Sequence, residues 1–359
     1  MANFYAFYLP QYHPIPENDE WYGKGFTEWR SVASAKPLYP GHYQPHIPGD
    51  LGFYDLRLKE TVLEQVKLAK EYGVDGFLYW HYWFGNGKQL LETPFNEIVK
   101  DKSIDFHFAA AWGNASWDKK QWGAKGQNKR LIEQQYLGEA DYTAHFYSLL
   151  EAFKDERYIR VDGKLLFIIY QPLANQEIRS MIAIWRKLAQ KENLADFYFV
   201  GHDLIGKNRK EILEMGFDSV YDDNMLNIHH RYPNVVKGLL QVMRTKLHIP
   251  TVFQYKNAIR YMIREDDYQE DVLPVVVPNW DHTPRTGAGN IMFRDCKPKY
   301  FKKLLKSAID AIKKKPVEKQ IVIIKSWNEW GEGNHMEPDL KYGRGYLETL
   351  KEVRSEEKI

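Results

Sequence analysis

The segment Ile321-Val322-Ile323-Ile324-Lys325-Ser326-Trp327-Asn328-Glu329-Trp330-Gly331-Glu332-Gly333 joins an apolar run to a pair of carboxylates. The first four residues have the composition of a buried β-strand. Glu329 and Glu332 would then follow the carboxyl end of that strand, where parallel α/β folds hold their active sites. Carboxylates beside Trp327 and Trp330 suit sugar chemistry, because glycosidic bond cleavage needs an acid and a base and an indole face can stack on a sugar ring.

Seven more apolar runs of strand length precede this one, at residues 4–9, 76–82, 106–112, 165–170, 197–201, 219–221 and 275–277. Amphipathic segments with helical periodicity lie between them, at residues 56–72, 142–153, 178–190, 209–215 and 300–314. This alternation predicts β-α-β units and a parallel sheet. Eight such units predict an α/β protein with a (β/α)₈ TIM barrel, built as a single catalytic domain over residues 1–359 with extended βα loops.

An open doubly wound sheet is the alternative architecture. Two absences from the sequence weaken it. No Gly-x-Gly-x-x-Gly turn follows the first predicted strand, and the chain has no Gly-x-x-x-x-Gly-Lys-Ser/Thr loop. A nucleotide-sugar site can exist without either motif, so nucleotide binding loses support without being excluded.

Composition excludes several classes of function. The 50 Lys and Arg nearly balance 48 Asp and Glu, and a net charge of +2 gives no electrostatic reason to expect nucleic acid as a partner. Cys296 is the single cysteine, so an internal disulfide and a cysteine-based zinc site are excluded. We expect no metal or other cofactor, since His13, His81 and His202 lack the spacing of a His-x-x-x-His or His-Glu-x-x-His motif.

The N-terminus, Met1-Ala2-Asn3-Phe4-Tyr5, lacks the basic region and long apolar core of a secretory signal, and no stretch has the length of a membrane span. We therefore expect a cytoplasmic protein. Aromatic residues make up 15% of the chain, which favours a binding surface for ligands with flat faces, although amphipathic packing residues would give the same composition.

Polar and aromatic residues follow the predicted strands, and a closed barrel would bring them to one rim. The candidate sugar-binding residues are Tyr8, Gln11, His13, Trp29, His46, His81, Tyr82, Trp83, Trp112, Asn114, Tyr170, Asp281, Trp327, Asn328 and Trp330. Each has a structural alternative. His81 is equally consistent with a hydrogen-bonded structural histidine, and Tyr82 and Trp83 are equally consistent with core residues. The alternative role of Asn328 and Glu329 is a helix cap, which leaves Glu332 solvated.

Two connections are longer than ordinary βα loops. Residues 14–50 are predicted to form an excursion over the barrel mouth that contacts the sugar through Trp29 and His46. Residues 114–129 are predicted to form a second loop with the character of a lid.

Five motifs, in order, resemble those of the WbsX-like proteins, which belong with glycoside hydrolase family 99, the endo-α-mannosidases. They are Tyr-Leu-Pro-Gln-Tyr-His-Pro at 8–14, Gly-Phe-Thr-Glu-Trp at 25–29, Gly-His-Tyr-Gln-Pro-His at 41–46, Gly-Phe-Leu-Tyr-Trp-His-Tyr-Trp-Phe at 76–84 and Trp-Asn-Glu-Trp-Gly-Glu-Gly at 327–333. The resemblance implies a (β/α)₈ barrel and a retaining mechanism without a covalent glycosyl-enzyme. In that mechanism Glu329 deprotonates the sugar 2-hydroxyl, which attacks the anomeric carbon, and Glu332 protonates the departing oxygen. An ordinary double displacement is the alternative.

The sequence departs from the family pattern at two positions. Gly331 stands where the hydrolases have His in Glu-Trp-His-Glu-Gly, and Ala115 stands where many WbsX-like members carry Glu. The acceptor or leaving-group side of the site is therefore expected to differ from that of the mannosidases.

The function that the sequence favours is a carbohydrate-active enzyme that acts on a glycosidic bond of an oligosaccharide or polysaccharide. The first alternative is a glycosyltransferase of O-antigen or capsular polysaccharide biosynthesis, as WbsX-like proteins are often described. The second is a barrel that binds carbohydrate without catalysis, which the intact pair of Glu329 and Glu332 disfavours.

Overall fold

Eight parallel strands form one closed barrel, which confirms the predicted (β/α)₈ fold. The computed structural model describes residues 2–119, 129–225 and 227–358. The barrel strands are β1 (Asn3–Tyr8), β2 (Gly76–Trp83), β3 (His107–Trp112), β4 (Lys164–Ile169), β5 (Phe197–His202), β6 (Ser219–Asp222), β7 (Val272–Val276) and β8 (Ile321–Ile324).

Each barrel strand pairs in parallel with its neighbours in chain order, and β8 pairs with β1 to close the ring. In the closing pair, Asn3 lies opposite Ile321 and Ala6 lies opposite Ile324. Because all eight strands run in the same direction, their carboxyl ends meet at one rim. The residues that follow the strands are therefore neighbours, however far apart they lie in the sequence.

All eight predicted strands are present, and the largest shift is in β7. The prediction begins at residue 275, whereas the strand is Val272–Val276. Pro274 is unusual in a central strand, since proline has no backbone donor. Here Pro274 nonetheless lies in register with Asp222 of β6.

Helices cover the outside of the barrel. They are α1 (Pro16–Tyr22), α2 (Glu28–Ser34), α3 (Lys59–Tyr72), α4 (Thr93–Lys100), α5 (Glu139–Ser148), α6 (Leu150–Phe153), α7 (Glu177–Lys191), α8 (Arg209–Glu214), α9 (Asn227–His230), α10 (Asn234–Lys246), α11 (Tyr255–Ala258), α12 (Thr283–Thr286), α13 (Pro298–Ile312) and α14 (Gly345–Glu357). Short 3₁₀ turns occur at Ile259–Tyr261, Glu265–Tyr268, Gly287–Gly289, Val317–Lys319 and Trp330–Glu332.

Helix α13 shows why these segments pack on the barrel. Its buried residues, Phe301, Leu304, Leu305, Ala308, Ile309, Ala311 and Ile312, recur at the three- and four-residue spacing of one helix face. Its lysines lie mainly on the other face. Burial of such an apolar face, rather than intrinsic helix propensity, supplies most of the stability of a helix in a protein.

Smaller strands extend the loops at the carboxyl rim and elsewhere. Thr251–Gln254 and Ile291–Arg294 form a parallel pair, Asn328–Glu329 and Asn334–His335 form a hairpin, and Trp117–Lys119 pairs with Lys129–Ile132. Gln89–Leu90 and Arg160–Val161 add to the edges of β2 and β4. The predicted lid at residues 114–129 falls partly on 120–128, which lie outside the described residues.

The excursion at residues 14–50 contains α1 and α2 and lies at the carboxyl rim, where α2 contacts the Trp330–Glu332 turn. A continuous apolar core reaches from Ala2 to Val353, and we propose that the chain is a single domain. Across residues 2–119, 129–225 and 227–358, none of the helices combines the length and the apolar character that crossing a bilayer requires.

Candidate active site

A cavity of about 540 Å³ opens at the carboxyl ends of the barrel strands. Glu329 and Glu332 both line it. The rest of its lining is aromatic, polar and charged, and comprises Gln11, Trp80, Tyr82, Trp117, Tyr170, His202, Asp223, Trp280, His282, Arg285, Asn290 and Lys325, with Leu9, Gly113, Ala115, Leu204, Met225 and Ile291. Such a mixture of ring faces and hydrogen-bonding groups is what a sugar-binding site needs.

The chain on both sides of Glu329 is fixed to the end of β1. The Asn328 side chain accepts from Leu9 N at 2.7 Å and donates to Leu9 O at 3.1 Å. The Tyr12 hydroxyl donates to the carbonyl of Asn328 and accepts from the backbone N–H of Trp330 at 3.0 Å. These bonds hold the backbone of Glu329 in one position, because the groups that flank it are all buried and paired.

Glu329 is 5% exposed, and the Nε1–H of Trp80 donates to its Oε1 at 2.8 Å. Burial, the negative charge of Glu332 and a hydrogen bond between the two side chains raise the pKa of Glu329 to about 8. A carboxyl group in this environment is protonated at neutral pH. Glu329 is thus the neutral member of the pair in the free protein.

Glu332 lies in the opposite environment. Arg285 Nη1 donates to its Oε1 at 2.5 Å, and His282 Nε2 lies 3.2 Å from the same oxygen. Burial acts to raise the pKa of Glu332, but Arg285, then His282, outweigh it and hold that pKa well below its ordinary value. One carboxyl group is therefore ionised while its neighbour holds a proton, the charge division that acid–base catalysis by two carboxylates requires.

Arg285 also binds a third carboxylate. Its Nε donates to Glu28 Oε1 at 2.8 Å, and Glu28 is 3% exposed. Glu28 belongs to α2, so the excursion supplies a carboxylate to the site. The guanidinium bridges Glu28 and Glu332, and its planar array of donors suits such double pairing.

Gly331 makes room for this arrangement. A Cβ at position 331 would lie 1.7 Å from Glu28 Oε1 and 3.0 Å from Arg285 Nε. The position where the hydrolase motif has His is therefore filled here by the carboxylate of Glu28.

A second charged group lines the same cavity. Lys325 Nζ donates to Asp223 Oδ2 at 2.7 Å, and His202 Nε2 lies 3.9 Å from the same oxygen. Burial lowers the pKa of His202 to about 4, so the imidazole is neutral and its ring stacks on Tyr221 at 4.4 Å. Asp223 and Lys325 thus place an acceptor and a donor in the cavity without an unbalanced charge.

A smaller cavity of about 260 Å³ adjoins the first and shares Gln11, Trp117 and Arg285 with it. Its other lining residues are Tyr22, Phe26, Glu28, Ser31, Ser116 and Asp118. Most of these come from the excursion. The two cavities together extend on both sides of Arg285, which gives space for more than one sugar unit.

Of the sequence-predicted site residues, Gln11, Tyr82 and Tyr170 line the main cavity with Glu329 and Glu332. The others support it from behind or lie elsewhere. Tyr8 donates to Gln65 on α3, Trp112 to the carbonyl of Trp83, and Asn114 to Gln171 O and Tyr136 Oη. Trp327 and Asn328 have no exposed surface, and Trp330 stacks on His335 at 3.7 Å while its Nε1–H donates to Glu337.

Trp29 lies in an aromatic cluster rather than in the cavity lining. It is 8% exposed, its Nε1–H donates to Tyr54 O at 2.7 Å, and its ring lies 4.5 Å from that of Tyr12 and 5.7 Å from that of Trp330. His13 is buried as well, and neither of its ring nitrogens has a hydrogen-bond partner among the described residues. Both residues pack the excursion against the barrel.

Strand β2 separates cavity residues from helix-facing residues by alternation. Trp80 and Tyr82 line the cavity, whereas His81 and Trp83 point to the helices. His81 Nε2 lies 2.8 Å from His145 Nε2 on α5, and the Trp83 ring stacks on His145 at 4.8 Å. The two-residue period of a strand distinguishes these two sets. Applied to the sequence, it would have selected Trp80 with Tyr82 instead of His81 and Trp83.

His46 and Asp281 lie beside the main cavity, around another of about 200 Å³ that has Trp280 in its wall. Asp281 Oδ2 accepts from Gln44 Nε2 at 2.7 Å and pairs with His42 Nε2 at 2.7 Å. His46 Nδ1 lies 3.3 Å from His335 Nε2. These residues form a buried polar layer between the excursion and the segment that follows β8.

Lys325 and Trp80 were not among the residues that the sequence singled out. Arg285 and His282 follow β7 and Asp223 follows β6, so their position at a strand end was a usable signal. The contacts of Arg285 and His282 with Glu332, and of Asp223 with Lys325, had no such signal, because each joins residues that follow different strands.

Residues 4–350 match the family model described as Glycosyltransferase WbsX. The chain belongs to the WbsX family. Two relatives from Xanthomonas campestris pv. campestris, both described as uncharacterized protein WxcX, are 34% identical in strain B100 and 33% identical in strain ATCC 33913. Each alignment covers 98% of this chain and 49% of the relative, so the chain spans about half the length of the curated relatives it matches.

Solved structures share the fold of this WbsX-family chain. A glycoside hydrolase-like protein aligns with a TM-score of 0.59 and 15% identity over 98% of this chain and 93% of its own. The GH99 endo-α-mannosidase from Bacteroides thetaiotaomicron aligns with a TM-score of 0.54 and 16% identity over 99% and 97% of the two chains. At these identities the likeness is one of fold.

We predict that Gly331→Ala destabilises the protein by about 1–3 kcal/mol, the usual cost of forcing extra atoms into a packed site. The added methyl group would overlap the Glu28 carboxylate, which is held in place by Arg285. Denaturant unfolding measures the change. Gly238→Ala is the matched control, because that helical glycine has open space around its Cβ position and should lose no stability. Equal stability of Gly331→Ala and wild type would contradict the close packing of Glu28.

Proposed function

We propose that this member of a carbohydrate-active enzyme family cleaves or transfers at a glycosidic bond of an oligosaccharide or polysaccharide, with Glu329 and Glu332 as its acid–base pair. The observation that carries the proposal is the division of charge between the two carboxyl groups. Arg285 and His282 favour ionised Glu332, and burial beside that charge favours protonated Glu329. Cleavage of a glycosidic bond needs one carboxylic acid and one carboxylate at the same moment.

The contact between the two carboxyl groups bears on stereochemistry. An inverting enzyme keeps its carboxyl groups about 6.5–9.5 Å apart to admit a water molecule between them. Here the two carboxyl groups are close enough for a hydrogen bond between them to raise the pKa of Glu329, a separation shorter than the inverting range. This contact supports a retaining mechanism, in which the substrate's own 2-hydroxyl or a carboxylate is the nucleophile.

The protonation of the free protein favours Glu329 as the acid and Glu332 as the base. The resemblance to the hydrolases implies the reverse, with Glu329 as base for the 2-hydroxyl and Glu332 as acid. Arg285 provides the physical reason for our assignment, since a carboxylate held by a guanidinium gives up its proton more readily than a buried one without such a partner.

The surroundings of the pair suit a sugar. Trp80, Tyr82, Trp117, Tyr170 and Trp280 offer aromatic faces along the cavity, and Gln11, His202, Asp223 and Lys325 offer hydrogen-bonding groups. The adjoining cavity extends the site toward the excursion. We infer an extended saccharide as the substrate, with additional units on the side of Glu28.

The second candidate function is a glycosyltransferase, which the family description favours. A nucleotide-sugar donor carries a diphosphate, and diphosphate sites commonly use cationic side chains. Among the described residues that line the cavity, the Arg and Lys side chains are Arg285 and Lys325. Each of them is already paired with at least one carboxylate. This pairing supports a glycoside as the donor over a nucleotide sugar. For the transferase alternative, a role in O-antigen or capsular polysaccharide synthesis stays a prediction, and so does a cytoplasmic location.

We predict that kcat/KM follows a bell-shaped pH profile with its alkaline limb near the Glu329 pKa of about 8. Activity needs the proton of Glu329, so it is present below that pH and lost as the pH rises through it. The acid limb should lie below the ordinary range of glutamate, since Glu332 must be ionised. Glu329→Gln and Glu332→Gln should each reduce turnover by about 10²–10⁴-fold on the natural linkage. Glu60→Gln, an exposed position on α3, is the control and should retain full activity.

Turnover of either Gln variant within a few-fold of wild type would remove that residue from the mechanism. A screen of aryl glycosides and activated sugar donors, read with and without an acceptor glycan, supplies the substrate for these assays.

We predict that the quality of the leaving group identifies the acid. When the leaving group is a strongly acidic phenol, its phenolate departs from the sugar without protonation. A variant that lacks only the acid should therefore regain activity on such an aryl glycoside. We expect Glu329→Gln to regain most of its activity and Glu332→Gln to remain inactive. Recovery by Glu332→Gln alone would instead establish the order of roles that the resemblance implies.

We predict that a substrate analogue with fluorine or hydrogen in place of the 2-hydroxyl binds without reacting, and that mass spectrometry finds no sugar attached to Glu329 or Glu332. An attacking carboxylate would give a trapped ester. Calorimetry should also show no binding of a nucleoside diphosphate. A glycosyl ester on either residue would support double displacement, and tight diphosphate binding would support the transferase.

A further inference from the structure

A group of three metal-ligating side chains lies outside the carboxylate pair. It consists of His46 from the excursion with His335 and Asp339 from the segment after β8, and one ligand atom of each lies within 4.8 Å of the other two. His335 and Asp339 are buried, and His46 is partly buried. The mechanism proposed above does not use any of them.

The spacing of these atoms fits a metal ion. His46 Nδ1 lies 3.3 Å from His335 Nε2. Two nitrogens bound to one tetrahedral zinc at about 2.0–2.1 Å are about 3.3 Å apart. A direct N–H···N hydrogen bond would more commonly be about 3.0 Å long. Asp339 Oδ2 lies 3.8 Å from His335 Nε2, so a small rotation of the carboxylate completes the set.

The surroundings hold the three ligands in orientation. His335 Nδ1 lies 3.0 Å from the carbonyl oxygen of Glu337, which accepts a hydrogen bond from Nδ1–H and leaves the lone pair of Nε2 directed toward His46. Metal-binding histidines are usually fixed in this way by a partner on the second nitrogen. Asp339 Oδ1 accepts from the backbone N–H of Lys341 at 2.9 Å and of Tyr342 at 2.6 Å, which turns Oδ2 to the histidines.

The position has space and suitable charge. His46 and Asp339 line the cavity of about 200 Å³, which can admit a water as a fourth ligand. The charges of Asp281 and Asp339 favour a cation at His46, and Lys341, whose Nζ lies 4.1 Å from the centre of the Tyr43 ring, is the opposing cation. The two carboxylates and the one ammonium group give the site a net negative charge.

We propose that His46, His335 and Asp339 bind one zinc ion that joins the excursion to the hairpin of Asn328–Glu329 and Asn334–His335. His335 lies in the strand that pairs with Asn328–Glu329, and its ring stacks under that of Trp330 at 3.7 Å. A metal bond to His46 links residues 14–50 directly to this hairpin. The ion is structural, since it lies behind Trp330 and not among the groups that line the cavity of Glu329 and Glu332.

The sequence contains a partial signal for this site. His42 and His46 have the His-x-x-x-His spacing, yet the structure turns His42 to Asp281 and brings only His46 to the cluster. The other ligands are almost the whole chain away, so spacing alone does not reveal them.

The test measures zinc binding by the full chain, prepared without a histidine tag and treated with a chelator. Calorimetry with zinc chloride should show about one ion per chain, and elemental analysis after gel filtration should recover it. Zinc should also raise the melting temperature, because it binds the folded state alone. His46→Gln and Asp339→Asn should weaken binding by more than about 10-fold. Asp339→Asn keeps Oδ1 for its two backbone donors, so the loop should stay folded, as circular dichroism will check.

His42→Gln is the matched control from the same motif and should bind zinc as wild type does. The proposal is overturned if wild type binds no zinc, if zinc leaves the melting temperature unchanged, or if folded His46→Gln and Asp339→Asn bind it as tightly as wild type. Loss of binding in His42→Gln with retention in His46→Gln would also overturn it, because the ion would then lie at Asp281. The assay needs no substrate, so its result is independent of the proposed activity.

Discussion

Pairing of the first strand with the last closes the barrel, and the site depends on that closure. Asn3–Tyr8 and Ile321–Ile324 lie at opposite ends of the sequence and share a continuous parallel register. Closure brings Leu9 and Tyr12 against Asn328 and Trp330, whose backbone and side-chain bonds hold Glu329. The position of the proposed acid is therefore determined by sheet geometry, and an unpaired β8 would leave it on a free loop.

Charge division is the second constraint, and it follows from burial. Two carboxylates in contact cannot both be ionised at low cost, so one proton stays between them. Burial acts to raise the pKa of both groups, but Arg285, then His282, lower that of Glu332, so the proton stays on Glu329. The ion pair of Lys325 with Asp223 adds two opposite charges to the same cavity. The free site thus carries little net charge, which suits a neutral saccharide better than a diphosphate.

The sequence predicts the barrel, the approximate strands and the carboxylate pair, because each depends on local signals: apolar runs, helical periodicity and residues at strand ends. It predicts side-chain direction less well. His81 was selected although it faces α5, and Trp80, one position away, donates to Glu329. Contacts between distant segments, such as Arg285 with Glu28 or His46 with His335, have no local signal, since closure of the barrel creates them.

The exchange at position 331 shows why a motif has to be interpreted with the segment that packs on it. Taken alone, Gly331 is a loss of the His found in the hydrolases. In the folded chain the absence of a side chain admits Glu28, and Glu28 holds the guanidinium that ionises Glu332. The Gly-Phe-Thr-Glu-Trp motif of the excursion and the Glu-Trp-Gly-Glu-Gly motif after β8 are consequently two halves of one electrostatic unit. A side chain at 331 would meet the Glu28 carboxylate where Arg285 holds it, so glycine at 331 fits Glu28, and the excursion contributes a charged group to the cavity of Glu329 and Glu332.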